Sequence, residues 1–344
     1  MTPVDSHGPV ADGFLARLAA AEDVLLGPLA VRSAASRGRL HPEPEECSLR
    51  SAFQRDRDRI VHSKAFRRLK HKTQVFIAPE GDHYRTRLTH TIEATGISRT
   101  VARALRLNED LTEAIGYGHD LGHPPFGHAG EAALDGALRT RFGRPFRHNE
   151  HSLRVVDHLE RDGRGLNLTH EVRDGILTHT RETPPESLEG RIVRIVDRVA
   201  YINHDIDDAL RAGVLQREDL PEAPIRLLGG TGSRRIDALV HDLVESSETA
   251  GDIVQSRRMG EAMLELRSFL FARVYEQGRL REETERAALV VRMLFEHYCT
   301  TFAAAGLAAD ELATAVVDEI AGMTDRFAVR RFREVYEPKA WSVL

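Results

Sequence analysis

GHDLGHPPFGHAGE, residues 118–131, decides how the rest of this chain is read. A helical pattern that begins at Leu111 runs into Gly118, His119 and Asp120. Pro124 and Pro125 then interrupt it, because an interior proline removes a backbone donor and clashes with the preceding turn. The pattern resumes over 129–141. An adjacent imidazole and carboxylate therefore stand at the end of one helix, between Gly118 and Gly122, where missing side chains let backbone or ligand approach closely. Just beyond the prolines, His128 and Glu131 sit at i and i+3, a spacing that shares one helix face.

Working outward, residues 87–107 carry Leu88, Ile92, Ile97, Val101, Ala104 and Leu105 at amphipathic helical spacing. Further helices are predicted over 150–161, 170–179 and 187–211, the last with Ile192, Ile195, Val196, Val199 and Ile202 as its buried stripe. Phe14, Leu15, Leu18, Val24 and Leu25 predict a first helix, and SAASRGRLHPEPEEC after it a long surface connection. The basic segment 51–76 has Ile60, Phe66 and Leu69 to seat it on a core. Residues 216–234, QREDLPEAPIRLLGGTGSR, read as a Pro- and Gly-rich break. Beyond it Leu264, Phe269 and Leu270, then Ala288, Val291, Leu294 and Phe295, continue the helical theme. No stretch alternates like a strand, so the expected fold class is all-α.

Composition excludes several functions. The 344 residues are 41% hydrophobic and 29% charged, ordinary for a globular protein. With 48 Lys plus Arg against 53 Asp plus Glu, the net charge of −5 gives no global attraction to a polyanion, so any anion site is local. Cys47 and Cys299 form no CxxC pair, which argues against a disulfide framework or a thiolate zinc site. No apolar run reaches membrane-spanning length and no basic n-region precedes one, so a cytoplasmic protein without membrane partners is expected.

His90 on one helix, His119 and Asp120 at the end of a second, and Asp197 on a third are the candidate metal ligands. A single histidine on an amphipathic helix is ordinarily a core or surface residue, so it is the set that carries weight. Two imidazoles and two carboxylates form a mixed nitrogen and oxygen shell, which suits manganese, iron, cobalt, nickel or zinc better than an all-oxygen magnesium or calcium cage. A cation so held lowers the pKa of bound water and neutralises a phosphoryl oxygen, the help that phosphoester hydrolysis requires.

The order His, His-Asp, Asp on helices resembles the HD-domain phosphohydrolases. DRDRIVHSKAFRRLKHKTQVF, RTRLTHTIEATGISR, GHDLGHPPFGHAGE, HNEHSLRVVDHL and IVDRVAYINHDIDDAL narrow the likeness to the deoxyguanosine triphosphate triphosphohydrolase family. That resemblance implies an HD-domain helical bundle elaborated with additional C-terminal helices. Residues 1–50 would form an N-terminal helix and connecting loop, 51–215 the HD-type catalytic core, and 216–344 a C-terminal helical region completing the same globular unit. It also implies hydrolysis of deoxynucleoside triphosphates (dNTPs) to deoxynucleoside and inorganic triphosphate, by metal-activated water attacking the α-phosphorus. One divalent ion per active site is expected, manganese first, with magnesium, cobalt, iron, nickel or zinc as alternatives.

By position, His90, His119, Asp120 and Asp197 are similar to the family's metal ligands, and His128 with Glu131 to its catalytic pair, His128 protonating the departing 5′ oxygen. His123 resembles a family residue near the reacting phosphate, and His148 a further phosphate contact. Tyr201, at i+4 from Asp197, would pack beneath the deoxyribose, and Asp205, at i+8, would reach the 3′ hydroxyl together with Gln74. Arg87, on the face of His90, and Arg198, beside Asp197, are the expected triphosphate cations, with some of Arg55, Arg59, Arg67 and Lys70 assisting and most charges of that run at the surface. The likeness also implies a homo-oligomer and a nucleotide or single-stranded nucleic acid as effector. The rival readings are another HD phosphohydrolase activity, such as a 5′-nucleotidase acting on deoxynucleoside monophosphates, or a regulatory single-stranded nucleic-acid-binding protein with a vestigial site, supported by the basic run 55–72.

Overall fold

A computed structural model describes residues 13–43, 47–75, 84–275 and 278–338, apart from the Arg279 side chain. Among the described residues there is no strand. The only extended pairings among them are isolated bridges between Arg39 and Thr169 and between Thr73 and Thr86. The helices are α1 (Phe14–Leu25), α2 (Ala52–Val61), α3 (Lys64–Arg68), α4 (Arg87–Ala104), α5 (Glu109–Gly118), α6 (Gly127–Phe142), α7 (His148–Arg154) and the single turn α8 (Glu160–Gly163). They continue as α9 (His170–Thr178), α10 (Leu188–Arg211), α11 (Glu222–Leu228), α12 (Gly232–Ala250), α13 (Arg257–Leu270), α14 (Gly278–Ala304), α15 (Ala309–Ala321) and α16 (Asp325–Tyr336). None is long and apolar enough to cross a membrane.

Side-chain caps fix where the principal helices begin. Ser51 and Thr86 close capping boxes with Gln54 and Thr89, and the Asn108 and Ser187 side chains accept from Leu111 N and Gly190 N, so donors orphaned at four helix starts are satisfied locally. Ile60, Phe66 and Leu69 are buried as expected, in a cluster with Leu111, Ile115, Val172 and Ile176 that joins α2, α5 and α9. The predicted stripe of α10 is buried too, with Ile195 partly covered. This helix contributes to several core clusters at once: Val193 packs toward α5 and α9, Val196 toward α4 and α12, and Ile202 toward α13.

Some expectations are corrected. The apolar stripe assigned to α4 is buried only in part: Val101 is fully covered and Leu88, Ile97 and Leu105 are half-buried, but Ile92 is 49% exposed, and Arg87, His90, Thr91, Ala94, Thr95 and Ser98 also point inward. Arg87 and His90 line the site described below, and Thr95 packs on Gly116 of α5. Val24 and Leu25 are exposed at the end of α1. The break at 216–234 contains α11, which tolerates Pro224 because a proline within the first turn forfeits no intrahelical bond. Arg55 and Arg59 are engaged within the protein: both pair with Glu43, and Arg59 also donates to the carbonyls of Leu166 and Asn167. Arg67 and Lys70 are exposed.

The turn between α5 and α6 is held from two directions. Gly122 lies against the backbone of α7, where a Cβ would overlap Ser152 N, and the Ser152 hydroxyl accepts from Gly122 N at 2.9 Å and donates to His119 O at 2.7 Å. The close approach permitted by Gly118 and Gly122 is thus to protein, since Gly118 packs on Ile176. From the far end of the chain Asp325 accepts from Phe126 N at 2.9 Å, Thr73 N at 2.8 Å and the Thr73 hydroxyl. Lys72 Nζ donates to His123 O and, at 2.8 Å, to Ala321 O. Phe126 itself sits in the left-handed region at φ 66°, a conformation that needs such support. Asp325→Ala leaves three buried donors without an acceptor and is expected to lower unfolding free energy by about 2–4 kcal/mol, read from urea midpoints. An unchanged midpoint would show that the C-terminal helices do not brace this turn.

Candidate active site

His119 caps the C-terminus of α5 and donates from Nδ1 to Gly116 O at 2.7 Å, which turns Nε2 into the interior. There it meets a carboxylate from α10 and an imidazole from α4. His90 Nε2 lies 3.0 Å from Asp197 Oδ1, and His119 Nε2 lies 3.7 Å from the same oxygen and 3.5 Å from Asp120 Oδ1. His90, His119 and Asp197 form a group able to hold a metal ion, with Asp120 at its edge. His119 Nε2 is buried and has no hydrogen-bond partner, an orphan that a coordinated cation satisfies. Burial opposes charge on His119, yet Asp120 and Asp197 raise it to about 9, and the imidazoles hold Asp197 well below the usual carboxylate range. That negative field favours a cation, so the donor set fits a divalent metal.

Asp120 has a second side. Its Oδ2 accepts from Arg87 Nη1 at 2.6 Å, and its Oδ1 lies 3.3 Å from His123 Nε2. His123 stacks on His148 with ring centroids 3.8 Å apart. His148 Nδ1 donates to Glu131 Oε1 at 2.8 Å, and its backbone N–H reaches the same oxygen at 3.0 Å. Glu131, opposed by burial but surrounded by His148, His128 and His123, is held far below its ordinary range and is ionised. His128 Nδ1 is 3.6 Å from Glu131 Oε2, while its side chain is 71% exposed and lines the cleft. The expected pair is therefore adjacent, but the short hydrogen bond to Glu131 belongs to His148.

These groups line a cleft of about 710 Å³ that also includes Gln74, Arg87, Arg194, Arg198 and Tyr201. Arg87 is 2% exposed, and its Nε and Nη2 have no acceptor, as does Gln74 Oε1 no donor. From the C-terminal region come Met263, Leu264, Arg267, Phe271 and Tyr275. Arg267 Nε donates to the Tyr201 hydroxyl at 3.0 Å and its guanidinium lies 4.8 Å from the Phe271 ring centroid. Asp205 is not among the lining residues. The Tyr275 hydroxyl, which does line the cleft, donates to Asp205 Oδ2 and covers it.

Of the residues singled out in the sequence, His90, His119, Asp120 and Asp197 converge, Gln74, Arg87, His123, His128, His148, Arg198 and Tyr201 line the same cleft with Glu131 braced behind, and Asp205 lies one side chain away. Sequence reading missed His179, Arg194, Arg267 and Tyr275. Only His179 carries a local signal: it ends its helix and donates to the carbonyl three residues back, Ile176 O at 2.7 Å, as His119 does. Tyr275 and Arg267 are far along the chain from their partners, so nothing nearby marks them.

An all-helical fold that gathers histidine and aspartate from separate helices at the base of a cation-lined cleft defines the class, an HD-domain phosphohydrolase. An HD domain model matches residues 87–202, and the phosphohydrolase-associated domain matches residues 253–334. A deoxyguanosinetriphosphate triphosphohydrolase-like protein of Caldanaerobacter subterraneus subsp. tengcongensis is 52% identical over 92% of this chain and 94% of its own. Proteins of that description from Desulfatibacillum aliphaticivorans and Clostridium perfringens are 47% and 45% identical, over 91% and 86% of this chain and 95% and 90% of theirs. The chain belongs to the deoxyguanosinetriphosphate triphosphohydrolase-like family, and its family is one of hydrolases.

Burial, only partly offset by the Tyr275 hydroxyl, pushes Asp205 up to about 7. An unfolded aspartate titrates near ~3.9, so between about pH 4 and 7 the folded protein keeps a proton that the unfolded chain has released. This group's contribution to stability therefore falls as pH rises through that window. An asparagine in its place would retain an acceptor for Tyr275 and never ionise, so the stability of Asp205→Asn relative to the parent should improve from pH 4 to 7. Urea midpoints at several pH values test this, and a constant difference contradicts it.

Proposed function

We propose that this protein hydrolyses dNTPs to deoxynucleoside and inorganic triphosphate, with a divalent cation held by His90, His119, Asp120 and Asp197. The observation that carries the reading is Arg87: a guanidinium buried to 2% exposure, fixed by Asp120 through one nitrogen, and left with Nε and Nη2 unpartnered beside the metal-capable cluster. Buried charged donors without acceptors are costly, and a phosphate oxygen satisfies them bidentately. The bound metal supplies Lewis-acid polarisation of a phosphoryl oxygen and a lowered pKa for water.

The chain's own residues do the rest. Arg87 binds a phosphate near the cluster, while Arg198 and Arg194 offer further charge toward a polyphosphate. His128, exposed to the cleft with Nδ1 3.6 Å from Glu131 Oε2, delivers a proton to the departing 5′ oxygen. His148 and His123, stacked behind, hold Glu131 and Asp120 in place. Tyr201, fixed by Arg267, packs against the deoxyribose. Gln74 and Tyr275 meet the sugar hydroxyl, with Asp205 positioning the Tyr275 hydroxyl from behind.

Purified protein supplied with Mn²⁺ and each dNTP in turn is expected to release deoxynucleoside and triphosphate, separated by chromatography. Deoxynucleoside monophosphate with pyrophosphate would refute the bond assigned, and turnover of monophosphates in preference to triphosphates would refute the substrate. His128→Ala should keep its metal, measured by elemental analysis, while losing about 10²–10⁴-fold in kcat. Undiminished turnover by that variant would remove His128 from the proton transfer.

A further inference from the structure

We infer, on the reading of His90, His119, Asp120 and Asp197 as a metal site, that His204 is a positioning residue for it: His204 accepts the Nδ1 hydrogen of His90 and so leaves His90 Nε2 free to ligate. His204 lies in IVDRVAYINHDIDDAL but belongs neither to the cleft lining nor to the metal-capable group. On α10 it follows Asp197 by seven residues, about two helical turns, so both project from the same side of the helix. Its ring is 3% exposed and stands edge-on to that of His90, with centroids 5.6 Å apart.

The facing atoms are Nδ1 of each ring, 3.4 Å apart. Two imidazole nitrogens in that position share one hydrogen, and which ring owns it decides what His90 Nε2 is. With the hydrogen on His204, a neutral His90 would carry its own on Nε2 and turn it toward Asp197, where it would occupy the place of a cation.

Glu93 breaks the symmetry. It stands three residues after His90 on α4, and its Oε2 is 3.3 Å from His204 Nε2. Arg85 Nε donates to the same oxygen at 2.9 Å while Arg85 Nη1 donates to Asp208 Oδ1 at 2.8 Å, so the carboxylate is tied to α10 as well as carried by α4. An ionised carboxylate only accepts, which places the His204 hydrogen on Nε2 and leaves its Nδ1 as an acceptor. The His90 hydrogen then sits on Nδ1, and His90 Nε2 presents a lone pair 3.0 Å from Asp197 Oδ1. Two acceptors that close repel each other unless a cation lies between them.

The two imidazoles of the centre are thus oriented by different means. His119 gives its Nδ1 hydrogen to a backbone carbonyl, Gly116 O, whereas His90 relies on the side chains of His204, Glu93 and Arg85. An anchor of this kind, on the nitrogen turned away from the ion, fixes the ring and raises its basicity as a ligand.

Full-length protein stripped of metal and titrated with Co²⁺ under equilibrium dialysis tests the assignment. His204→Leu, which removes the acceptor, is expected to weaken Co²⁺ binding about 10–100-fold. His204→Asn, whose side-chain oxygen can stand where Nδ1 stands, should recover most of that loss. Equal affinity in the parent and His204→Leu overturns the role of His204 and leaves the metal site standing, as does a His204→Asn protein no tighter than His204→Leu. A parent that binds no Co²⁺ overturns the metal site itself. In the Co²⁺-loaded parent, the proton NMR spectrum should contain a hyperfine-shifted, slowly exchanging N–H resonance from His90 as well as one from His119, and absence of the His90 resonance contradicts the proposal.

Discussion

A carboxylate taken out of water must be surrounded by positive or hydrogen-bonding groups, and the interior of this protein is organised around that requirement at Asp120. Arg87 takes one oxygen; His119, His123 and His148 surround the other. An isolated buried ion of this kind costs several kcal/mol, so each partner must itself be fixed before it can compensate. His119 is fixed by Gly116 O, His148 by Glu131, and Arg87 by its place at the start of α4. Apolar clusters bring α4, α5, α9 and α10 together, and the polar side chains of these helices compensate one another where they meet.

That polar meeting point explains what the sequence disclosed and what it hid. His90, His119, Asp120 and Asp197 were legible because they occur in long, distinctive strings, and the stripe of α10 was legible because it packs on ordinary apolar neighbours. Helix α4 was legible only in part, because its inward face joins Val101 and Ala102 to His90, Thr91, Thr95 and Ser98, and hydrophobic periodicity misses the polar share. Within the basic run the pairing of individual arginines was not legible. Glu43, distant in the pattern, absorbs Arg55 and Arg59, and only tertiary structure reveals that their charges are spent on one another's neighbourhood rather than on a ligand.

The C-terminal region contributes in two different ways. Through Arg267, Phe271 and Tyr275 it lines the cleft that also holds His90, Asp120 and Asp197. Through Asp325 and the carbonyl of Ala321 it grips residues 72, 73, 123 and 126, the backbone that carries Gln74 into the cleft and turns α5 toward α6. The second contribution acts on geometry rather than on contact with a ligand.

Coupling of this kind makes the site sensitive to backbone displacement. Phe126 occupies a left-handed conformation, and Gly127 beside it, also at positive φ, passes close to Arg87 Nη2 and to the carbonyls of Thr73 and Gln74. A side chain at Gly127 would press on the guanidinium that ties Asp120 to α4. The spacing between Asp120 and Arg87 is thus set by one turn, and that turn is held by a helix 199 residues further along the chain, through Asp325 on Phe126. The bracing of this turn therefore has to hold for the charges around Asp120 to remain compensated.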